Sequence, residues 1–134
     1  MIYIILTILY IQLTHFVADF IMQTHEMSIN KSTNVYWLNR HILSYGKTMF
    51  MFSIPFLLIV TMFGGVWAHL SVDIIAYIFI NMALHWVTDY FTSQQVRKYF
   101  DIDDFHNGFV IIGLDQLTHT TCLILTYFLL SKLA

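Results

Sequence analysis

Histidine and aspartate recur four positions apart along this chain of 134 residues. The pairs are His15 with Asp19, His85 with Asp89 and, in the reverse order, Asp115 with His119. Residues i and i+4 lie on one face of an α-helix, about 6 Å apart, so each pair would point to one side of its helix. Imidazole and carboxylate groups together are ligands that suit Zn²⁺, Mn²⁺ or Fe²⁺. The spacing therefore predicts a metal site assembled from several helices.

The segments that must position these pairs are long and apolar. Hydrophobic residues make up 58% of the chain and charged residues only 10%, whereas an average soluble domain has roughly 25% charged residues. A membrane-spanning helix needs about 20 mostly apolar residues. Four segments meet that need, at about residues 2–23, 41–63, 70–92 and 109–131. We therefore predict an all-α fold, a four-span transmembrane helix bundle with a polar His/Asp interior, forming a single integral membrane domain over residues 1–134.

The alternating direction of the four spans brings their polar residues to one level of the bilayer. These residues lie toward the C-terminal end of the first and third spans and toward the N-terminal end of the second and fourth. A rise of 1.5 Å per residue puts His15, His85 and Asp115 about 10 to 13 Å, and His119 about 16 Å, from the predicted cytosolic boundary. This half of the bilayer holds seven candidate ligands: His15, Asp19, His41, His85, Asp89, Asp115 and His119. A further pair, His69 with Asp73, falls at the opposite face and does not belong to this set.

Ionisable groups in hydrocarbon are costly unless they are paired, hydrated or bound to metal, and they are candidates for function. Seven ligands exceed the four of a closed structural zinc site. The number suits one open metal site in which further carboxylates orient the imidazoles, or two metal ions about 3.5 to 4 Å apart that activate a water. We predict a divalent transition metal, Zn²⁺ first, with Mn²⁺ or Fe²⁺ as alternatives. Hydrogen-bonded His–Asp pairs that only join the helices are the other interpretation.

The basic residues indicate an orientation in the membrane, because cytosolic loops are enriched in Lys and Arg. Lys31, Arg40, Arg97 and Lys98 lie in the first and third connections, whereas Lys132 lies on the opposite side. We expect a bacterial inner (plasma) membrane protein with both termini outside the cytosol. A net charge of −2 excludes a cationic surface for nucleic acid. The lipid bilayer is the expected partner, and assembly into a homo-oligomer is left open.

Three motifs carry a family resemblance. They are H-x-x-x-D-F-x-x-Q from His15, H-x-x-x-D-Y from His85 and D-Q-x-x-H from Asp115. In order and spacing, over nearly the whole chain, the sequence resembles an uncharacterised family of small bacterial and phage integral membrane proteins, known only as a domain of unknown function. The resemblance implies a multi-span helical membrane protein with a His/Asp-rich site, and it implies no activity. In its use of His and Asp alone, the chain is also similar to membrane-bound metal-dependent hydrolases.

Three functions fit such a site. The first is a metal-dependent hydrolase of a phosphate ester or lipid, with Asp19, Asp89 and Asp115 as catalytic candidates, one of them acting as base. Lys31 or Lys47 would then hold the anion. The second is a translocator of metal ions or protons, although polar residues become sparse in the outer half of the spans. The third is a binding or assembly protein whose metal only holds the four spans together.

Overall fold

The computed structural model describes residues 2–62 and 67–132. They form α-helices joined by short connections, and no strand occurs among them. The elements are α1 (Ile2–Phe16), a π-helical segment (Val17–Ile21), α2 (His25–Asn30), α3 (Val35–Met62), α4 (Trp67–Phe100) and α5 (Phe105–Leu130). The predicted all-α class is confirmed. The side chain of His69, which the sequence pairs with Asp73, lies outside the description.

Apolar side chains cover the outside of the bundle, whereas much of its interior is polar. Along α1, Leu6, Leu9 and Leu13 each expose more than half of their surface. His41 and Asp89, in contrast, are buried. A water-soluble protein buries its apolar residues and rarely buries charged ones, so the arrangement suits a bundle whose surroundings are lipid. The polar His/Asp interior predicted from the sequence is therefore present.

The lengths of the helices agree with a membrane bundle. Among the described residues, three stretches are long and apolar enough to cross a membrane: Ile4–Ile21, Asp73–Phe100 and Phe105–Leu130. The predicted second span, residues 41–63, falls in α3 as far as Met62, beyond which residue 63 lies outside the described part; α3 has 28 residues and is not among these three stretches. At 1.5 Å per residue α3 is about 42 Å long, more than the hydrocarbon thickness of about 30 Å. The architecture is consistent with a multi-pass protein in a lipid bilayer.

Two helices extend beyond the segments that hydropathy indicates. α3 begins at Val35, before the apolar segment that starts near 41, and α4 continues past residue 92 to Phe100. The extension of α4 contains good helix formers such as Gln94. Its last turn carries Arg97 and Lys98, whose positive charges interact favourably with the C-terminal end of the helix dipole. The spans predicted from hydropathy end before these turns because the turns are polar.

A tight turn joins α4 to α5, the pair of helices with the most extensive contact in the bundle. Asp104 caps α5, because its carboxylate accepts hydrogen bonds from the backbone N–H of Asn107 (3.2 Å) and from the Asn107 side-chain amide (2.6 Å). These hydrogen bonds hold the pKa of Asp104 below its ordinary value, and the bond from the Asn107 side chain has the larger effect. Gly108 lies against the ring of Phe100, where a Cβ atom would collide. The turn thereby fixes how the N-terminal half of α5 lies along α4.

Buried apolar residues lie in the interior on one side of the polar cluster. We call Ile11, Met49, Ile78 and Leu123 the apolar layer. On each helix, the residue of this layer lies one to three turns from the candidate ligands, on the side away from α2. Buried polar side chains, Thr14, Thr48, Asn81 and Thr126, accompany this layer, each within one turn of it along its helix.

Candidate metal centre

The π-helical segment positions the first carboxylate of the cluster. The backbone N–H of Met22 donates to the carbonyl of Val17 at 2.9 Å, the i→i+5 bond of a π-turn. Asp19 lies inside this segment, and its Oδ1 lies 3.1 Å from His41 Nε2 and 3.3 Å from His85 Nε2. Its own i−4 neighbour, His15, is further away, at 3.8 Å from Oδ2. π-Turns within helices occur often at functional sites, and here the turn accompanies a carboxylate that faces α3 and α4.

All seven candidate ligands from the sequence meet in the interior of the bundle. Their exposed fractions range from 0% for His41 to 9% for Asp115. The ligands come from α1 and the π-helical segment, α3, α4 and α5: His15, Asp19, His41, His85, Asp89, Asp115 and His119. Residues from distant parts of the sequence therefore lie together inside the packed bundle.

One group of donor atoms joins α3 to α4. His41 Nε2 and His85 Nε2 lie 3.1 Å apart, and Asp89 Oδ2 lies 3.3 Å from the first and 3.6 Å from the second. Tetrahedral ligands at bond lengths of 2.0 to 2.2 Å are separated by about 3.3 to 3.6 Å. The three atoms therefore have nearly the spacing that a bound divalent cation requires.

A second group joins α4 to α5. His119 Nε2 lies 3.3 Å from Asp89 Oδ1 and 3.3 Å from Asp115 Oδ1. The rings of His85 and His119 stack with their centroids 3.9 Å apart and their planes within 10°. The hydroxyl of Thr92 donates to Asp115 Oδ1. Asp89 thus faces both groups, with a different oxygen toward each.

Hydrogen bonds alone do not satisfy these atoms. An imidazole nitrogen carries at most one hydrogen, yet His41 Nε2 lies within 3.3 Å of His85 Nε2 and of oxygens from Asp19 and Asp89. Asp19 Oδ1 is buried and lies 3.1 Å from His41 Nε2 and 3.3 Å from His85 Nε2, but within the described part of the chain neither contact has the geometry of a hydrogen bond. A buried polar atom without a partner is costly. The buried His and Asp groups could hold a metal ion, which would serve these donors at once.

His15 has a different place from the other candidates. Among the described residues, three groups of side chains have ligand atoms close enough to hold a metal, and His15 belongs to none of them. Its Nε2 lies 3.1 Å from Gln116 Oε1. An amide oxygen only accepts hydrogen bonds, so in this contact His15 Nε2 carries the hydrogen. The structure therefore places His15 beside the candidate ligands, where it orients Gln116.

Gln116, the Gln of the D-Q-x-x-H motif, and Thr92 are site residues that are absent from the candidate ligands predicted from the sequence. The side-chain nitrogen of Gln116 donates to Asp19 Oδ2 at 2.8 Å and to Asp115 Oδ2 at 3.1 Å. One amide therefore fixes two carboxylates from different helices. The available signal was an amide next to Asp115 within an apolar span. The sequence did not show that the Gln116 side chain points toward the cluster, because neighbouring side chains on a helix point about 100° apart.

Lys31 reaches the cluster from the connection between α2 and α3. Its Nζ donates to Asp89 Oδ2 at 2.8 Å. Burial by itself would lower the pKa of Lys31, but the carboxylates of Asp89 and Asp19 outweigh burial and raise it above the ordinary value. Lys47, the other lysine considered for binding an anion, is exposed. Lys31 is therefore the lysine that lies beside the carboxylates.

A cavity of about 440 Å³ leads to the carboxylates. Its walls include residues of α2 and of the α4–α5 turn, and apolar side chains such as Phe20, Ile29 and Ile112. Its polar lining near the cluster consists of Asp19, Lys31, Asp89, Thr92, Asp115 and Gln116. The lining also includes Arg97 and Asp101, which pair with each other at 3.5 Å. The cavity thus joins Lys31, the three buried carboxylates and apolar walls in one space.

The chain belongs to the family described as "Protein of unknown function (DUF3307)", whose sequence model matches residues 5–134. The match covers nearly the whole chain, in agreement with the resemblance seen in its motifs. No curated protein and no solved structure matches the chain.

Proposed function

We propose that this member of the DUF3307 family is a metal-dependent hydrolase of phosphate esters that acts at the membrane boundary. The observation that carries the proposal is the cavity in which Asp19, Asp89 and Asp115 meet Lys31. A structural metal site needs no such access, because its ligands close around the ion. The apolar walls would suit the acyl part of a lipid, and the lysine would suit its phosphate.

The side chains of the site divide the work of hydrolysis. A divalent cation, with Zn²⁺ first and Mn²⁺ or Fe²⁺ as alternatives, would neutralise the phosphate charge and lower the pKa of a water. Lys31 would hold the phosphate by a charge-assisted hydrogen bond. The water oxygen bonds to phosphorus as the P–O bond to the leaving group breaks. Asp19 accepts the water proton through a carboxylate oxygen, and a solvent molecule protonates the leaving oxygen.

Translocation of ions or protons is the weaker proposal. A path across the membrane requires polar groups or water along its whole length. Beyond the cluster, the apolar layer of Ile11, Met49, Ile78 and Leu123 is accompanied by buried hydroxyl and amide groups, whereas the buried carboxylates and imidazoles of the described residues are all in the cluster. The cavity that reaches the carboxylates opens toward the α2 side. An enzyme that works from one face of the membrane needs only a cavity that opens to that face.

The location of the site follows the distribution of charge. Arg97 and Lys98 end α4, and Lys31 and Arg40 lie near the same end of the bundle. The positive-inside rule assigns that end to the cytosol. We propose that the cavity faces the cytosolic leaflet of a bacterial inner membrane and that both termini lie outside. Reporter fusions at both termini test this topology, and a cytosolic signal from either one contradicts it.

The test of the proposed function starts from the full chain, purified in detergent without a polyhistidine tag. We expect transition metal by elemental analysis, and hydrolysis of p-nitrophenyl phosphate or of phosphatidic acid in micelles. Chelation should abolish turnover, and Zn²⁺ or Mn²⁺ should restore it. Asp19→Asn should lower kcat by at least about 100-fold, the usual contribution of a general base.

Matched controls separate this function from the alternatives. Asp73→Asn changes an aspartate that lines a different cavity and should leave turnover unchanged. A protein that contains metal but hydrolyses neither substrate would contradict the hydrolase and favour an assembly role. A protein that contains no metal would contradict both.

A further inference from the structure

We infer that the cluster binds two divalent cations and that the carboxylate of Asp89 bridges them. The inference rests on the proposed metal site and concerns its nuclearity. A second ion would add a cation site, made from residues of α4 and α5, to the one between α3 and α4. The class of ligand is a pair of transition-metal dications, Zn²⁺ or Mn²⁺, as in two-metal sites that act on phosphate esters.

The two oxygens of Asp89 face different histidines. Oδ2 lies 3.3 Å from His41 Nε2 and 3.6 Å from His85 Nε2. Oδ1 lies 3.3 Å from His119 Nε2. A single ion held by Asp19, His85 and His119, the third possible group, would leave His41 and Asp89 without a metal. Two ions, one at each oxygen, engage His41, His85 and His119 together.

Each ion would have three side-chain ligands. The first would lie among His41, His85 and Asp89, and the second among Asp89, Asp115 and His119. These two sets share only Asp89. Three protein ligands leave a coordination position for water or substrate, as catalytic metal sites require. Asp19 belongs to a third group, with His85 and His119. Its Oδ1 lies 3.1 Å from His41 Nε2 and 3.3 Å from His85 Nε2, so it borders the first ion site, where the proton acceptor of the proposed reaction must lie.

The spacing between the two sets also fits a metal pair. The stacked rings of His85 and His119, one from each set, have centroids 3.9 Å apart. Both rings turn their Nε2 atoms toward Asp89. Two-metal sites hold their ions about 3.5 to 4 Å apart. Ions bound to adjacent stacked rings would have a separation of this size.

Charge indicates when the second ion binds. Asp19, Asp89 and Asp115 with Lys31 give the interior a formal charge of −2, which one dication neutralises. A second dication makes the interior +2, and a net charge in low dielectric is costly. A phosphate dianion in the cavity would restore neutrality. Because coupling between two ligands is reciprocal, inorganic phosphate should tighten binding of the second ion at least about tenfold.

Metal stoichiometry of the detergent-purified chain tests the inference. We expect two Mn²⁺ or Zn²⁺ ions per chain in the presence of inorganic phosphate, and one ion per chain in His119→Ala and in His41→Ala. His106→Ala changes an exposed histidine of α5 and should retain both ions. One ion in the wild type would overturn the inference and leave the proposed function standing, whereas no ion would overturn the proposed function itself.

Electron paramagnetic resonance of the Mn²⁺-loaded wild type gives a result that does not depend on how the variants fold. Two Mn²⁺ ions bridged by one carboxylate are exchange-coupled, so we expect a multiline signal of a spin-coupled pair. Two ions that give only the six-line spectrum of isolated Mn²⁺ would contradict the bridge. His119→Ala should show isolated Mn²⁺ alone, and a coupled signal in that variant would contradict His119 as a ligand of the second ion.

Discussion

Lys31 and Asp89 form an ion pair in the interior of the bundle, with Nζ 2.8 Å from Oδ2 across a sequence separation of 58 residues. The Asp89 side chain is 1% exposed and that of Lys31 14%. The pair connects the segment between α2 and α3 to the middle of α4. It places a cation at the edge of the cavity, where an anionic substrate would meet the carboxylates.

Lys31→Gln should weaken substrate binding more than metal binding. A hydrogen bond to a charged group contributes about 1.5 to 3 kcal/mol, so KM for a phosphate ester should rise about tenfold or more. Inhibition by inorganic phosphate should weaken in parallel, with metal content unchanged. Lys98→Gln removes an exposed lysine of α4 and serves as the control. An unchanged KM in Lys31→Gln would show that Lys31 does not bind the anion.

Gln116→Leu should destabilise the bundle. The substitution leaves Asp19 Oδ2, Asp115 Oδ2 and His15 Nε2 without the amide that contacts them. Each polar group left unsatisfied in the interior costs about 1 to 3 kcal/mol. Thermal unfolding in detergent should therefore show a lower Tm, together with reduced turnover.

The control for Gln116→Leu is Gln95→Leu, at an exposed position of α4, which should keep the wild-type Tm. If Gln116→Leu unfolds at the wild-type temperature and hydrolyses substrate at the wild-type rate, the amide does not hold the carboxylates in place.

Gly108→Ala should loosen the contact between α4 and α5. The added Cβ would overlap the ring of Phe100, and that ring is held by Phe105 and Phe109, with centroids 5.5 and 5.8 Å away. Overpacking of this kind typically costs 1 to 3 kcal/mol. Gly113→Ala is the matched control, because no atom lies within 4 Å of its added Cβ. Equal Tm values for the two variants would contradict the tight contact.

Asp104 should contribute a pH-dependent cap to α5. Its pKa lies below the ordinary value because Asn107 donates to the carboxylate. The stabilisation is therefore present above the ordinary pKa of Asp, near 3.9, and is lost as the pH falls through the lower folded pKa. At neutral pH, Asp104→Ala should lower Tm more than Asp104→Asn, whose side chain still accepts a hydrogen bond.

Acidification provides the second measurement for this cap. As the pH falls below about 3.9, the Tm of the wild type should fall relative to that of Asp104→Asn, because only the wild type loses an ionised cap. Comparison of these two chains removes the effect of acid on the buried cluster, which both share. A difference that stays constant with pH would show that the charge of Asp104 contributes nothing.

Much of the site could be predicted from the sequence because two of its determinants are local. A helix repeats every 3.6 residues, so the i, i+4 spacing of His85 and Asp89 is enough to place them on one face. Alternating span direction then sets a similar depth for residues as distant as His15 and Asp115. The helix ends were less predictable, because the turns beyond Thr92 are polar and hydropathy does not register them.

The sequence by itself determined that the chain is helical and apolar outside, and which side chains share a buried level, since these follow from backbone periodicity and solvent preference. Only the tertiary structure decided which atoms meet. Asp19 lies closer to His41 (3.1 Å) than to its sequence partner His15 (3.8 Å), and Asp89 pairs with Lys31 at 2.8 Å. Those distances depend on the π-turn and on how each helix rotates and packs against its neighbours. Such packing comes from contacts between distant segments, which no local pattern encodes.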